Sequence, residues 1–300
     1  MKAMPIRNAA AIGFYPGEKE ELIASLEHCF NQGPGGIPEV GPWSNKVVGG
    51  IVPHAGYIYS GPVAAYTYAA LAKNGAPDVV CLLGTSHTGY PAIGLMSQGT
   101  WRTPLGDIEV DEEFSNLILK NTEIILDDTD QFLKYPHNQE HNLEVQLPFL
   151  QYLFKNLKFV PITIPPSDAQ SILETGMSIA TAIQKTSKRV YLIASTDLTH
   201  YGAQSYGFAP VGSAPVEKVM EFIRNTDGKI IDQITKFDYK GVLQAATNTT
   251  MCGPGSVATL LVVAKELGAN EVKLLKYATS YDIIGETEAI VGYLSAVVLK

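Results

Sequence analysis

No part of this 300-residue chain offers the run of about 20 apolar residues that a membrane-crossing helix requires, and the best C-terminal stretch is broken by Asp282, Glu286 and Glu288. The opening residues, Met1-Lys2-Ala3-Met4-Pro5-Ile6-Arg7, lack the apolar segment of a secretory signal, so a cytoplasmic protein without membrane contact is expected. Lysine and arginine are nowhere clustered. With 22 basic against 30 acidic residues the formal net charge is −8, which leaves no basic surface to neutralise nucleic-acid phosphates or anionic lipid. Cysteine is scarce: Cys29, Cys81 and Cys252 are odd in number and far apart, which argues against a disulfide framework. Neither a His-Glu-x-x-His nor a Cys-x-x-Cys motif occurs, so any metal site must be assembled from distant segments. Internal repeats, low-complexity tracts and linkers are also missing. Gly33-Pro34-Gly35-Gly36-Ile37-Pro38 is loop material, but what precedes it is too short for a domain, and residues 1–300 read as a single domain.

What the chain has in quantity is apolar residues, 46% of the total, enough for a full core. Short β-branched runs at 47–52, 79–83, 159–164, 190–194, 272–277 and 289–299 read as strands buried on both faces. Segments with helical spacing fall between several of them, at 18–30, 62–73, 112–120, 140–154, 167–185, 216–225 and 257–267. This alternation predicts an α/β fold: one layered domain with a mostly parallel or mixed central sheet flanked by helices.

In open α/β sheets ligands bind beyond the carboxyl ends of the strands, so the residues that follow each run carry the functional argument. The first run ends in Pro53-His54-Ala55-Gly56-Tyr57, after which Ser60 and Pro62 read as the cap and first turn of a helix. The second ends in Gly84-Thr85-Ser86-His87-Thr88-Gly89, the fourth in Ser195-Thr196-Asp197-Leu198-Thr199-His200-Tyr201-Gly202. A single loop histidine is more often a hydrogen-bonded structural residue than a ligand. Three of the six histidines at equivalent topological positions shift that balance toward a metal site, because neutral imidazole is the commonest protein ligand for first-row metals. Cys252 stands just before the apolar segment 257–267, where helix amides favour a thiolate, as ligand or as nucleophile; a thiol packed beneath a turn is the equal alternative. Cys29 and Cys81 read as core residues. In Pro136-His137-Asn138-Gln139-Glu140-His141, a helix starting near Asn138 would put Glu140 and Glu144 on one face. Glu140 and His141 are then either capping and surface residues or acid/base and orienting partners at a pocket rim. Tyr57, Tyr59 and Tyr201 are further candidates to line that pocket, against a default of packing.

Seven ordered motifs together resemble the Memo family, the protein-B component of the AmmeMemoRadiSam group. They are Gly13-Phe14-Tyr15-Pro16-Gly17, Pro53-His54-Ala55-Gly56-Tyr57, Gly84-Thr85-Ser86-His87, Arg102-Thr103-Pro104-Leu105-Gly106, Glu140-His141 through Leu147-Pro148, Ser195-Thr196-Asp197 through His200-Tyr201-Gly202, and Cys252-Gly253. The resemblance implies a fold similar to the class III extradiol dioxygenases and a mononuclear metal held by His54, His87 and Cys252, with Asp197 and His200 beside it. Fe(II) is the favoured ion, with Zn(II) or Cu(I) as alternatives, since cysteine replaces the carboxylate of the dioxygenase ligand set and makes ordinary ring opening doubtful. Three functions follow as expectations. The first is a metal-dependent redox or dioxygenase-related enzyme for a small molecule, with His200, polarised by Asp197, as base. The second is a metal-independent hydrolase with Cys252 as nucleophile, His200 as base and Asp197 as orienter. The third is a scaffold without turnover that binds metal or partners, such as the radical-SAM protein and protein A of the same group.

Overall fold

The computed structural model describes residues 4–212 and 214–300. Among them, four apolar runs become the strands Val47–Val52, Val79–Gly84, Lys158–Thr163 and Val190–Ser195. These four lie side by side and parallel, Val190–Ser195 between Val47–Val52 and Val79–Gly84, with Lys158–Thr163 outside the latter. Apart from Lys158 every residue in them is buried, as parallel strands covered on both faces must be. Ile290–Leu299 pairs antiparallel with Val47–Val52 and Glu271–Thr279 antiparallel with Ile290–Leu299, which makes the sheet mixed. Gly94–Leu95, Leu126–Asp127 and His200–Tyr201 complete its nine strands among the described residues. A second, three-stranded sheet holds Ile6–Arg7, Thr100–Thr103 and Gly106–Glu109.

Side chains alternate across the large sheet with the period of two that strand geometry imposes. Val79, Cys81 and Leu83 enter one apolar layer with the helices Ala169–Lys185 and Pro254–Glu266. Val80 and Leu82 enter the other with Lys19–Gln32, Tyr57–Lys73 and Leu147–Leu153. Cys81 and Cys29 are buried, one in each layer, as their sequence contexts predict. The α/β class with a mixed sheet flanked by helices is therefore present.

Four local expectations need correction. Glu271–Thr279 is not buried on both faces: only Val272, Ala278 and Thr279 are buried, because only Ile290–Leu299 flanks it in the sheet. The helix expected from Pro62 starts at Tyr57, whose amide donates to the Phe14 carbonyl at 2.8 Å; Ser60 Oγ donates to the Ala55 carbonyl at 2.9 Å instead of capping. The predicted helix 140–154 is broken: a 3-10 turn His137–Gln139 and a bend precede a second 3-10 turn, Glu144–Gln146, that runs into Leu147–Leu153. Lastly, the helix from Val216 continues to Thr235, and Tyr239–Ala246 is a helix that the apolar spacing did not reveal.

Candidate metal centre

The parallel register delivers the chemistry to one place. Val52 pairs with Ser195 and Leu83 with Ala194, so three chains leave the same sheet edge together, carrying His54, His87 and Asp197. Two glycines let further segments close on that edge. A side chain at Gly84 would lie 2.0 Å from Asn142 Oδ1 and 2.6 Å from Leu143 Cδ2, so its absence admits the segment that carries Glu140 and His141. A side chain at Gly253 would lie 2.6 Å from the Ser195 carbonyl, and without one the turn bearing Cys252 seats against Thr196, whose Oγ1 accepts the Gly253 amide at 3.0 Å.

His54, His87 and His141 each present one ring nitrogen to a common point, and these three atoms lie within 4.8 Å of one another. Hydrogen bonds select the nitrogen for two of them. Ser195 Oγ donates its proton to the Asn142 carbonyl at 2.8 Å, so at 2.9 Å from His54 Nδ1 it acts as acceptor; Nδ1 then holds the proton and Nε2 the free lone pair. His87 Nδ1 donates to Glu140 Oε1 at 2.8 Å, which frees its Nε2 in the same way. Glu140 also accepts from the amides of His87 and His141, at 2.5 and 3.1 Å, and from Asn142 Nδ2 at 2.7 Å. Burial pushes its carboxyl up, but the His87 hydrogen bond and the charges of His87 and His141 outweigh this and hold it at about 2. Burial draws His87 down, yet Glu140 raises it overall. Burial and the neighbouring imidazoles lower His141 to about 3, and burial with His87 lowers His54 well below the usual range. His141 is stacked between His87, centroids 4.7 Å apart, and Phe14, at 4.1 Å.

Cys252 Sγ lies 3.1 Å from His54 Nε2 and accepts the Asp197 amide at 3.3 Å. Burial and the nearby Asp197 carboxylate push its thiol above the ordinary range, opposite to the effect expected of a helix start. Asp197 Oδ1 accepts the His54 amide at 2.8 Å; burial raises its carboxyl, an effect that His200 and this hydrogen bond reduce. The His200 ring is positioned by the carbonyls of Leu198 and Thr250, each 3.0 Å from Nδ1, and not by Asp197 as the sequence argument supposed. The imidazole in contact with Cys252 is that of His54, so the expected Cys252–His200–Asp197 chain of hydrogen bonds is not formed.

His54, His87, His141, Asp197, His200 and Cys252 line a cleft of about 560 Å³, and Glu140 sits behind His87. Tyr59 lines it as expected. Tyr57 and Tyr201 do not, being buried with their hydroxyls on the carbonyls of Val145 and Gly212. Phe14, Tyr206, Tyr293 and Glu286 line it without having been singled out. Ser195, Asn142 and Gln146 were also missed, although a serine ending a wholly buried strand signals a polar obligation at that edge. Among the described residues, no helix is long and apolar enough to cross a membrane.

Comparison with known proteins agrees with the motif pattern. The family model described as Memo-like protein matches residues 7–297. A MEMO1 family protein of Methanopyrus kandleri is 39% identical over 298 residues, covering 97% of this chain and 98% of its own. One from Thermococcus kodakarensis is 41% identical over 297 residues, covering 96% and 97%. One from Pyrococcus furiosus is 40% identical over 304 residues, covering 98% and 99%.

Proposed function

The chain belongs to the Memo family, and on that premise we propose that it holds one first-row metal ion, Fe(II) in preference to Zn(II) or Cu(I), and performs redox chemistry on a small molecule in the adjoining cleft. The observation that carries this reading is the convergence of the three imidazoles, two with Nδ1 engaged behind the ring so that the Nε2 lone pairs face inward. That donor set fits a borderline cation, and the carboxylate behind His87 is the usual means by which proteins orient a ligating imidazole. Cys252, in contact with His54 Nε2, adds a soft donor to the set.

When bound, such an ion supplies a Lewis-acidic, redox-active centre. The chain's own residues supply the rest. Glu140 and Ser195 hold the His87 and His54 rings, and Phe14 supports His141 from its outer face. His200, with Nδ1 engaged by backbone carbonyls, turns Nε2 toward the cleft as the base available to a substrate proton. Asp197 fixes the backbone at His54 and brings negative charge to the cleft floor.

The test is elemental analysis of protein purified without chelator and then reconstituted anaerobically with Fe(II), alongside His54→Ala, His141→Ala and Cys252→Ala. Near-stoichiometric metal in the wild type and its loss in the histidine variants are expected. No uptake by the wild type would overturn the reading. Oxygen consumption by the loaded protein across catechols and small metabolites tests the redox assignment separately.

A further inference from the structure

Outside its four imidazoles the cleft is charged in one sense. Asp197 and Glu286 line it, and among the described residues no lysine or arginine does. Glu286 is held in place, its Oε1 accepting the amides of Glu288 at 2.8 Å and Ala289 at 3.4 Å, bonds that also favour its ionised form. The same cleft is walled by the phenol rings of Tyr59, Tyr206 and Tyr293. Tyr206 stands edge-on to His200 with centroids 5.0 Å apart. Tyr206 lines the same cleft as both carboxylates. Beside Glu286, Tyr59 and Tyr206, away from the imidazole cluster, an anion would meet a carboxylate and aromatic faces, both negative toward it. An ammonium group would meet attraction from each, since the face of a tyrosine ring is the negative end of its quadrupole.

We infer that the cleft selects a small organic cation, an amine on a short or flat apolar body, with its ammonium against Glu286 and the rings of Tyr59 and Tyr206 and its body directed toward the imidazole cluster. This deepens the small-molecule reading above and rests on it for the identity of the cleft as the ligand site.

Tyramine, 4-ethylphenol and 4-hydroxyphenylacetate share one skeleton and differ in charge. Calorimetric titration of each into the full chain, metal-free and Fe(II)-loaded under anaerobic conditions, separates charge selection from metal binding. In metal-free protein tyramine is expected to bind at least about tenfold tighter than 4-hydroxyphenylacetate, with 4-ethylphenol between them. Glu286→Gln should bring tyramine to the affinity of 4-ethylphenol with an unchanged thermal midpoint, and Tyr206→Leu should weaken tyramine more than 4-ethylphenol. Equal or tighter binding of the acid, an undiminished preference in Glu286→Gln, or no saturable binding of any of the three at millimolar concentration would overturn the inference. Metal uptake without cation preference defeats this inference alone, whereas cation preference without metal uptake defeats the metal reading alone.

Discussion

Glu140 concentrates more of the site's physics than any other side chain. It is 7% exposed, has no partner of fixed positive charge on its carboxylate among the described residues, and is satisfied by donors from His87, His141 and Asn142. Its carboxyl is depressed from 4.5 to about 2, so its contribution to folding is present above about 4.5 and lost as the pH falls toward 2. His87 is raised above 6.5, so its share is complete below 6.5 and lost as the pH rises through the raised value. The metal-free pair therefore stabilises most between about 4.5 and 6.5. Urea midpoints of metal-free protein across that range and beyond should fall on both sides of it, and Glu140→Gln should flatten both limbs; an unchanged profile would remove the pair from the stability of the fold. The same variant should weaken metal binding by about 10- to 100-fold, the usual effect of losing the acceptor behind a ligating histidine. His54, His87 and Asp197 were visible in the sequence because reactive residues after apolar runs are conspicuous, Cys252 because it precedes an apolar helix, and Glu140 through the motif resemblance. The role of Ser195 was not, since only its contacts with Asn142, Gln146 and His54 reveal that it fixes a tautomer.

Among elements, the segment 137–146 is where sequence periodicity and tertiary contact disagree. Its spacing predicts a helix, yet Asn142 Nδ2 donates to the Thr85 carbonyl at 2.8 Å and Glu140 takes the His87 amide, and these contacts draw the backbone into a bend against the end of Val79–Gly84. The strands, by contrast, matched their apolar runs to within one residue at most ends, because burial on both faces leaves no alternation to misread. Gly84 is the point at which strand and bend meet. Gly84→Ala would force Asn142 and the fully buried Leu143 aside, so a loss of about 1–3 kcal/mol in stability is expected, together with weaker metal uptake. Gly228→Ala is the matching control: nothing lies within 4 Å of the added carbon in the helix Val216–Thr235, and a gain of about 0.5–1 kcal/mol is expected with metal uptake unchanged. Denaturant melts and metal titrations of the two variants decide between local overpacking and a general intolerance of change.

At the scale of the whole molecule, the site depends on a contact between residues 137 apart in sequence. Arg7, 2% exposed, pairs with Glu144, 0% exposed, and donates from its second terminal nitrogen to the Glu140 carbonyl at 2.6 Å, while its guanidinium lies 4.0 Å from the Trp101 ring centre. Glu144 in turn accepts the amides of Ala10 and Ala11 and the hydroxyl of Tyr15. The N-terminal segment and the small sheet are thus tied to the bend that carries Glu140 and His141, a link that no local pattern could have displayed. Arg7→Met leaves Glu144 buried without its counter-charge, and a loss of about 3–5 kcal/mol is expected, part of it recovered in Arg7→Met/Glu144→Gln. A metal ion at a hundred times its dissociation constant should add about 2.7 kcal/mol to the wild type. If Arg7 also positions the bend, the ion must order that bend when it binds Arg7→Met, and at the same concentration its stabilisation should be smaller there. An equal increment in the two proteins would confine Arg7 to stability and leave the imidazole cluster preformed without it.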